Sequence, residues 1–359
     1  MTDADEPRIL GPRENPVLAG HGDAEAALLR AWQSHRLHHA WLISGPRGIG
    51  KATLAFRFAR FVLAGGGGDL LGGPTALDVA ADTPIFRQVA SGGHPDLLTI
   101  ERGYDEKRDR QRSEIIVDDV RDIARFLHLK AAAGGWRVVV VDSADEMNRN
   151  GANALLKILE EPPAQALLLI VSHSPGRLLP TIRSRCRRLA MGPLADPTVA
   201  ALLGRYSPQT AEADRALLVR LADGSIGRAL AIIEAGGLDL YREIAGQLQL
   251  SRPDVARIHA LGERLARKDA ADLFRLAGEL LVGWLGRLIR AAATGRAEAD
   301  LMPGEGAAMA ALARRRSLEQ WLELWEKIGN LVARTEAVNL DRKQVWVGAM
   351  LDIAGSAGR

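Results

Sequence analysis

The chain has 359 residues, 47% hydrophobic and 25% charged, which is too apolar for a disordered protein and longer than one core usually serves, so two or three domains are expected. A formal charge of only +3 leaves any contact with a polyanion to local clusters. The single cysteine, Cys186, excludes a disulfide framework and a cysteine-built zinc site, which makes a reducing cytoplasm the natural home.

The first six residues, Met-Thr-Asp-Ala-Asp-Glu, lack the basic start and apolar run of an export signal. Trp41, Leu42 and Ile43 then open a series of short continuous apolar runs, continued by residues 97–100, 138–141 and 167–171. Runs of this length read as strands buried on both faces of a parallel sheet with helices on either side. Directly after the first strand come Gly45-Pro46-Arg47-Gly48-Ile49-Gly50-Lys51-Ala52-Thr53 and a helical run through residue 63. A glycine-rich turn into a helix N-terminus offers backbone N–H groups and the positive end of the helix dipole to phosphate, and Lys51 adds a charge for β- and γ-phosphate oxygens. The residue after that lysine should carry the hydroxyl that ligates Mg²⁺, yet it is Ala52, and Thr53 lies about 100° further round the helix. The loop can therefore either hold a nucleotide or only shape a turn that attracts an anion.

Residues 65–73 hold six glycines and residues 102–112 are dense in charge, so both read as mobile excursions from the sheet. The strand ending at Val141 delivers Asp142, a carboxylate able to coordinate or orient Mg²⁺, but Ser143 occupies the place of the glutamate that would polarise water. A hydroxyl is a poor general base, so the usual hydrolytic route is missing. Asp145 and Glu146 fall after the strand and decorate the next loop. Residues 150–161 place Ala152, Leu155, Leu156 and Leu159 at helical spacing, and Pro162-Pro163 stops the helix. Four arginines then fall within residues 183–188, around Ser184-Arg185-Cys186. Such a run is ordinarily a solvated face. In a chain that keeps the phosphate loop and lacks its metal and base residues, one of these guanidinium groups could instead serve a neighbour's γ-phosphate. Beyond Pro193 helical periodicity takes over, with stripes at Leu273, Ala277, Leu280, Trp284 and Leu288, at Trp321, Trp325, Ile328 and Val332, and at Trp346, Ala349, Met350 and Ile353. The tryptophans read as bundle core, with some available to a partner subunit. Residues 280–293 are the greasiest stretch, but Arg287 and Arg290 interrupt them short of a membrane span. His21, His94 and His173 fit no metal spacing and read as isolated structural histidines.

Residues 153–163, Asn-Ala-Leu-Leu-Lys-Ile-Leu-Glu-Glu-Pro-Pro, and Ser184-Arg185-Cys186 with the phosphate loop upstream resemble the clamp-loader branch of the AAA+ ATPases. His38-His39-Ala40-Trp41, His94-Pro95-Asp96, Val117-Asp118-Asp119-Val120-Arg121 and residues 339–344 narrow the resemblance to the delta-prime family of bacterial DNA polymerase III. The resemblance runs from about residue 17 to residue 344. It implies an α/β P-loop (RecA-like AAA+) domain over 1–190, a small helical lid over 191–245 and an all-α collar over 246–359. It implies a stator that does not hydrolyse ATP and completes the site of an adjacent tau/gamma subunit with Arg185. Ser172 falls at the family's sensor-1 position and Arg228 at its sensor-2 position. Partners on this reading are the delta and tau/gamma subunits, primer-template DNA within the complex, and the sliding clamp indirectly. Many relatives carry four cysteines in a zinc module after the first helix; residues 65–73 stand there instead, so no zinc is expected and no cofactor is required, although ATP could be held unhydrolysed. The competing expectation is an active motor of the tau/gamma type in which Thr53 and Asp145 rescue the site; a P-loop kinase fits the helical tail and the Ser-Arg-Cys turn poorly.

Overall fold

A computed structural model describes residues 9–66, 73–105, 110–112, 114–132, 135–296, 299–335 and 338–355. The middle of the glycine-rich loop and residues 106–109 of the charged run lie outside the described residues. The chain forms two compact units, residues 1–209 with 223–227, and residues 210–222 with 228–359. Of the segment 191–245, residues 191–209 and 223–227 fall in the first unit and the rest in the second.

In the first unit the elements run α1 (Gly22–Gln33), β1 (Ala40–Ser44), α2 (Lys51–Leu63), α3 (Pro84–Ala90), β2 (Leu97–Ile100), β3 (Tyr104–Asp105), β4 (Arg110–Gln111), α4 (Val117–His128), β5 (Arg137–Val141), α5 (Arg149–Glu160), β6 (Ala166–Ser172), α6 (Pro180–Arg185), β7 (Arg187–Ala190) and α7 (Asp196–Tyr206). The charged run thus forms the two-residue antiparallel pair β3–β4. The main sheet is five-stranded in the order β2-β5-β6-β1-β7, and every pairing in it is parallel.

The continuous apolar runs follow from the pleat. In β1, Trp41 and Ile43 pack with Leu54, Phe58 and Phe61 of α2, whereas Ala40 and Leu42 point to the opposite face, with Val120 and Ile123 of α4 and Leu155 and Leu159 of α5. Both faces are covered, so both sets must be apolar. Parallel pairing also places the carboxyl ends of β1, β5 and β6 along one edge, the crevice where α/β sheets bind ligands. On α2, Arg60 is buried and donates to the Arg13 and Asn15 carbonyls at 2.6 and 2.7 Å, while its guanidinium lies 4.5 Å over Phe86. A cation therefore pins the N-terminal segment to the domain.

The second unit is helical among its described residues: α8 (Glu212–Ala222), α9 (Ile226–Glu234), α10 (Gly237–Leu248), α11 (Val255–Leu265), α12 (Ala271–Thr294), α13 (Glu305–Ala313), α14 (Leu318–Thr335) and α15 (Arg342–Ala354). Trp284, Trp321 and Trp346 are buried, as the periodicity predicts. Trp325 is the correction: it is 37% exposed, and its indole N–H donates to the Val282 carbonyl at 3.1 Å. The stripe on α14 is thus core at Trp321 and Ile328 and rim at Trp325. Arg287 turns inward and donates to Glu305 Oε2 and Tyr241 Oη, each at 2.9 Å. Tyr241 in turn donates to Glu305 Oε1, so α10, α12 and α13 meet at one fully buried carboxylate. No helix among the described residues is long and apolar enough to cross a membrane.

Candidate functional site

The phosphate loop lies where the sequence places it, between the end of β1 and the start of α2. All three of its glycines have positive φ, +151° at Gly45, +75° at Gly48 and +105° at Gly50. A Cβ on Gly45 would stand 2.2 Å from the Met191 carbonyl oxygen, so that turn requires glycine for space as well as conformation. His21 is buried beneath the loop, with Nε2 2.8 Å from the Ile49 carbonyl oxygen.

Lys51 points differently from expectation. Its ammonium is buried and donates to the Pro46 carbonyl of its own loop, so it closes the turn on itself. Burial pulls it down to about 8, with Arg47 acting in the same direction and Asp142 and Asp145 opposing. The unfolded chain keeps its proton between about pH 8 and the ordinary lysine value of 10.5, where the folded chain has released it, so stability rises with pH across that window. Replacing Lys51 by methionine is expected to stabilise the protein at pH 7, by at most about 3 kcal/mol, and to abolish that rise. Urea unfolding of both proteins between pH 7 and 10 measures it; parallel curves would refute the assignment.

Asp142 follows β5 opposite this turn, and burial, then Glu101, push its carboxyl above the usual range against the Ser143 hydrogen bonds and Lys51. The Mg²⁺ donor set is incomplete: Ala52 has no oxygen, Thr53 is buried within α2, and Ser143 Oγ sits 3.4 Å from Asp142 Oδ1. These residues do not fit the metal of a working nucleotide site. Ser143 adopts a left-handed conformation, φ 59° and ψ 50°, which is costly for a residue with a side chain and holds its hydroxyl 3.0 Å from His173 Nε2.

His173 is therefore part of this cluster, contrary to its reading as an isolated histidine. Burial, followed by Lys51 and Arg47, lowers it to about 4, so the imidazole is neutral at physiological pH. Asp145 also joins, because its Oδ1 accepts the His173 backbone N–H at 2.8 Å. Burial raises that carboxyl, but the His173 N–H, followed by the nearby Ser172 hydroxyl, outweighs it and leaves it below its ordinary value. Ser172 is fully buried beside it. Asp145 is thus occupied as an acceptor and does not face the loop as a free base.

Three contacts at the loop were not legible in the sequence. Ser225 Oγ donates to the Arg47 carbonyl at 2.7 Å and the Gly227 N–H to the Gly48 carbonyl at 2.9 Å. A Cβ on Gly227 would come 2.8 Å from Gly48 Cα, so the chain crosses the loop at closest approach. Glu146 takes Arg102 at 2.8 Å and Arg47 at 3.7 Å, which holds the loop from the other side. In the second unit the Arg228 guanidinium lies along α12 at Gly283.

Away from the loop, Pro180 opens α6 and Ile182 anchors it in the core. Ser184 Oγ and Arg185 Nη1 both donate to the Thr181 carbonyl, at 3.0 and 3.1 Å. Cys186 is buried where α6 passes into β7, and burial pushes its thiol up to about 12, so it anchors the turn and has no thiolate chemistry near neutral pH. The Arg185 guanidinium stands partly in solvent, 2.7 Å from Glu160 Oε1. No group of three or more metal-ligating side chains occurs among the described residues.

Residues 20–195 match the family model for DNA polymerase III, delta subunit. A Pseudomonas aeruginosa protein named DNA polymerase III subunit delta' is 43% identical over 148 residues, 41% of each chain. Residues 20–195 are thus similar to the DNA polymerase III delta-prime family. The Escherichia coli delta' subunit is 32% identical over 228 residues, covering 63% of this chain and 64% of that one. A gamma/tau subunit from Mycobacterium bovis is 31% identical over 278 residues, 74% of this chain and 45% of the relative. The matches thus span less than two thirds of each relative. The delta-prime assignment agrees with the motifs at the loop and at Ser184-Arg185-Cys186, and the strand order β2-β5-β6-β1-β7 is the P-loop architecture those motifs imply.

Proposed function

We propose that this chain works as the delta-prime stator of a DNA polymerase III clamp loader, which helps load the sliding clamp onto primed DNA without hydrolysing ATP itself. On this reading Arg185 enters the ATP site of the adjacent tau/gamma subunit and neutralises charge on the γ-phosphoryl oxygens. The supporting observation is an asymmetry within one domain. The loop in cis has Ala52 for the metal hydroxyl, Ser143 for the base and a lysine folded onto Pro46, whereas Arg185 is held at the surface on a short, well-anchored helix. Partners are the delta and tau/gamma subunits, primer-template DNA inside the complex and, indirectly, the clamp; the lid is assigned to 191–245 and the collar to 246–359. The proposal places the complex in the cytoplasm and assigns no zinc; the remnant loop holds ATP, if at all, without turnover.

The motor reading draws on the longer alignment with gamma/tau, but it needs Thr53 and Asp145. Thr53 is buried in α2 and Asp145 holds the His173 N–H. The purified chain is expected to turn over ATP at least about 100-fold more slowly than a tau/gamma subunit, because the loss of a general base alone costs that much. Steady-state hydrolysis, with binding of labelled ATP measured with and without Mg²⁺, tests this; turnover matching a motor subunit would replace the stator reading.

A further inference from the structure

Glu160 closes α5, followed by Glu161 and the Pro162-Pro163 stop. Two acidic residues there face the negative end of the helix dipole, where cations are favoured, so the placement opposes the local preference. What Glu160 meets is Arg185, with Oε1 2.7 Å from Nη2, while Nη1 donates to the Thr181 carbonyl. The side chains keep 49% and 35% of their surface in solvent. A pair this exposed adds little to the stability of the fold. Its geometry has another consequence, because both terminal nitrogens of the guanidinium are held within their own subunit.

We propose that Glu160 is a positioning residue that parks Arg185 in cis and surrenders it when the neighbouring subunit holds a nucleoside triphosphate. This rests on the arginine-finger reading above. The triphosphate carries several negative charges to the single charge of Glu160, and its oxygens fit the same guanidinium fork. Release from Glu160 precedes every productive state equally, so it weakens the ground state and the transition state of the neighbour's reaction by the same amount. Uniform effects of this kind appear in KM and not in kcat.

Clamp-loader complexes reconstituted from the full chain and its partner subunits test the proposal by ATP turnover against ATP concentration. Glu160→Gln is expected to lower KM about two- to five-fold at unchanged kcat, the range that follows from an exposed pair. Glu160→Asp, which keeps the charge on a shorter stem, should return KM toward the wild-type value. Raising the salt should narrow the difference between wild type and Glu160→Gln, because screening already weakens the pair. An unchanged KM in Glu160→Gln, a loss confined to kcat, or an aspartate that behaves like glutamine would each overturn the parking role. Arg185→Ala runs alongside: if its turnover falls while KM in Glu160→Gln stays put, the finger stands and the parking fails, whereas unaltered turnover in Arg185→Ala removes the finger itself.

Discussion

Arg185→Ala is expected to lower ATP turnover at the completed site by roughly 10³-fold or more, the scale of an arginine finger acting in trans, while the complex still assembles. Folding is spared because the helix that carries Arg185 does not depend on its guanidinium. Ile182 is 1% exposed and packs in the sheet's core, Cys186 is buried, and Ser184 keeps its own bond to Thr181. The variant loses one half-exposed ion pair, worth about 0–1 kcal/mol. Arg185→Lys should recover only part of the rate, since an ammonium presents a point charge in place of a planar fork. DNA-stimulated ATP turnover, read beside size-exclusion chromatography of the complex, separates catalysis from assembly. Unchanged turnover in an assembled complex would reject the assignment.

Glu305→Ala is expected to destabilise the helical unit by about 3–5 kcal/mol, because it strands a charge that the fold has already desolvated. Glu305 is fully buried, and its carboxylate collects Tyr241 Oη, Arg287 Nη1 and the Leu301 N–H. Burial, followed by Glu305, raises the Tyr241 phenol, which therefore stays a donor at any physiological pH. Without the carboxylate, Arg287 keeps Tyr241 Oη and the Ala299 carbonyl as acceptors but loses the buried counter-charge 2.9 Å from its Nη1, at a side chain that is 11% exposed. Tyr241→Phe removes two hydrogen bonds, one to Glu305 and one from Arg287, and leaves the ion pair, so its cost should be nearer about 2 kcal/mol. Urea unfolding of both variants measures the difference, and a loss below 1 kcal/mol for Glu305→Ala would show that the pair is not needed to hold α13.

The candidate site divides by the range of the interaction. Its turn was readable because Gly45, Gly48 and Gly50 lie next to a strand and a helix in the chain. The direction taken by Lys51 was not, since the same ammonium could reach a phosphate or the carbonyl of Pro46. Ser225 and Gly227 stand some 180 residues from the loop carbonyls they bind. Glu160 left one signal, an acid at the wrong end of a helix, which marks a residue retained for a distant partner. His173 left none, as nothing near it in sequence announces Ser143.

Sequence by itself determined the parallel sheet, the hard stop of α5 at Pro162-Pro163, the absent metal hydroxyl and base, and the family that residues 20–195 resemble. These depend on side-chain period and residue chemistry, which act over a few positions. Tertiary structure alone decided that Trp325 lies at the rim while Trp321 lies in the core, that Arg287 turns inward to Glu305, and that Arg185 rests on Glu160. Each is a pairing between elements, and a helical period says which face is apolar without saying what will cover it or which charge will be waiting there.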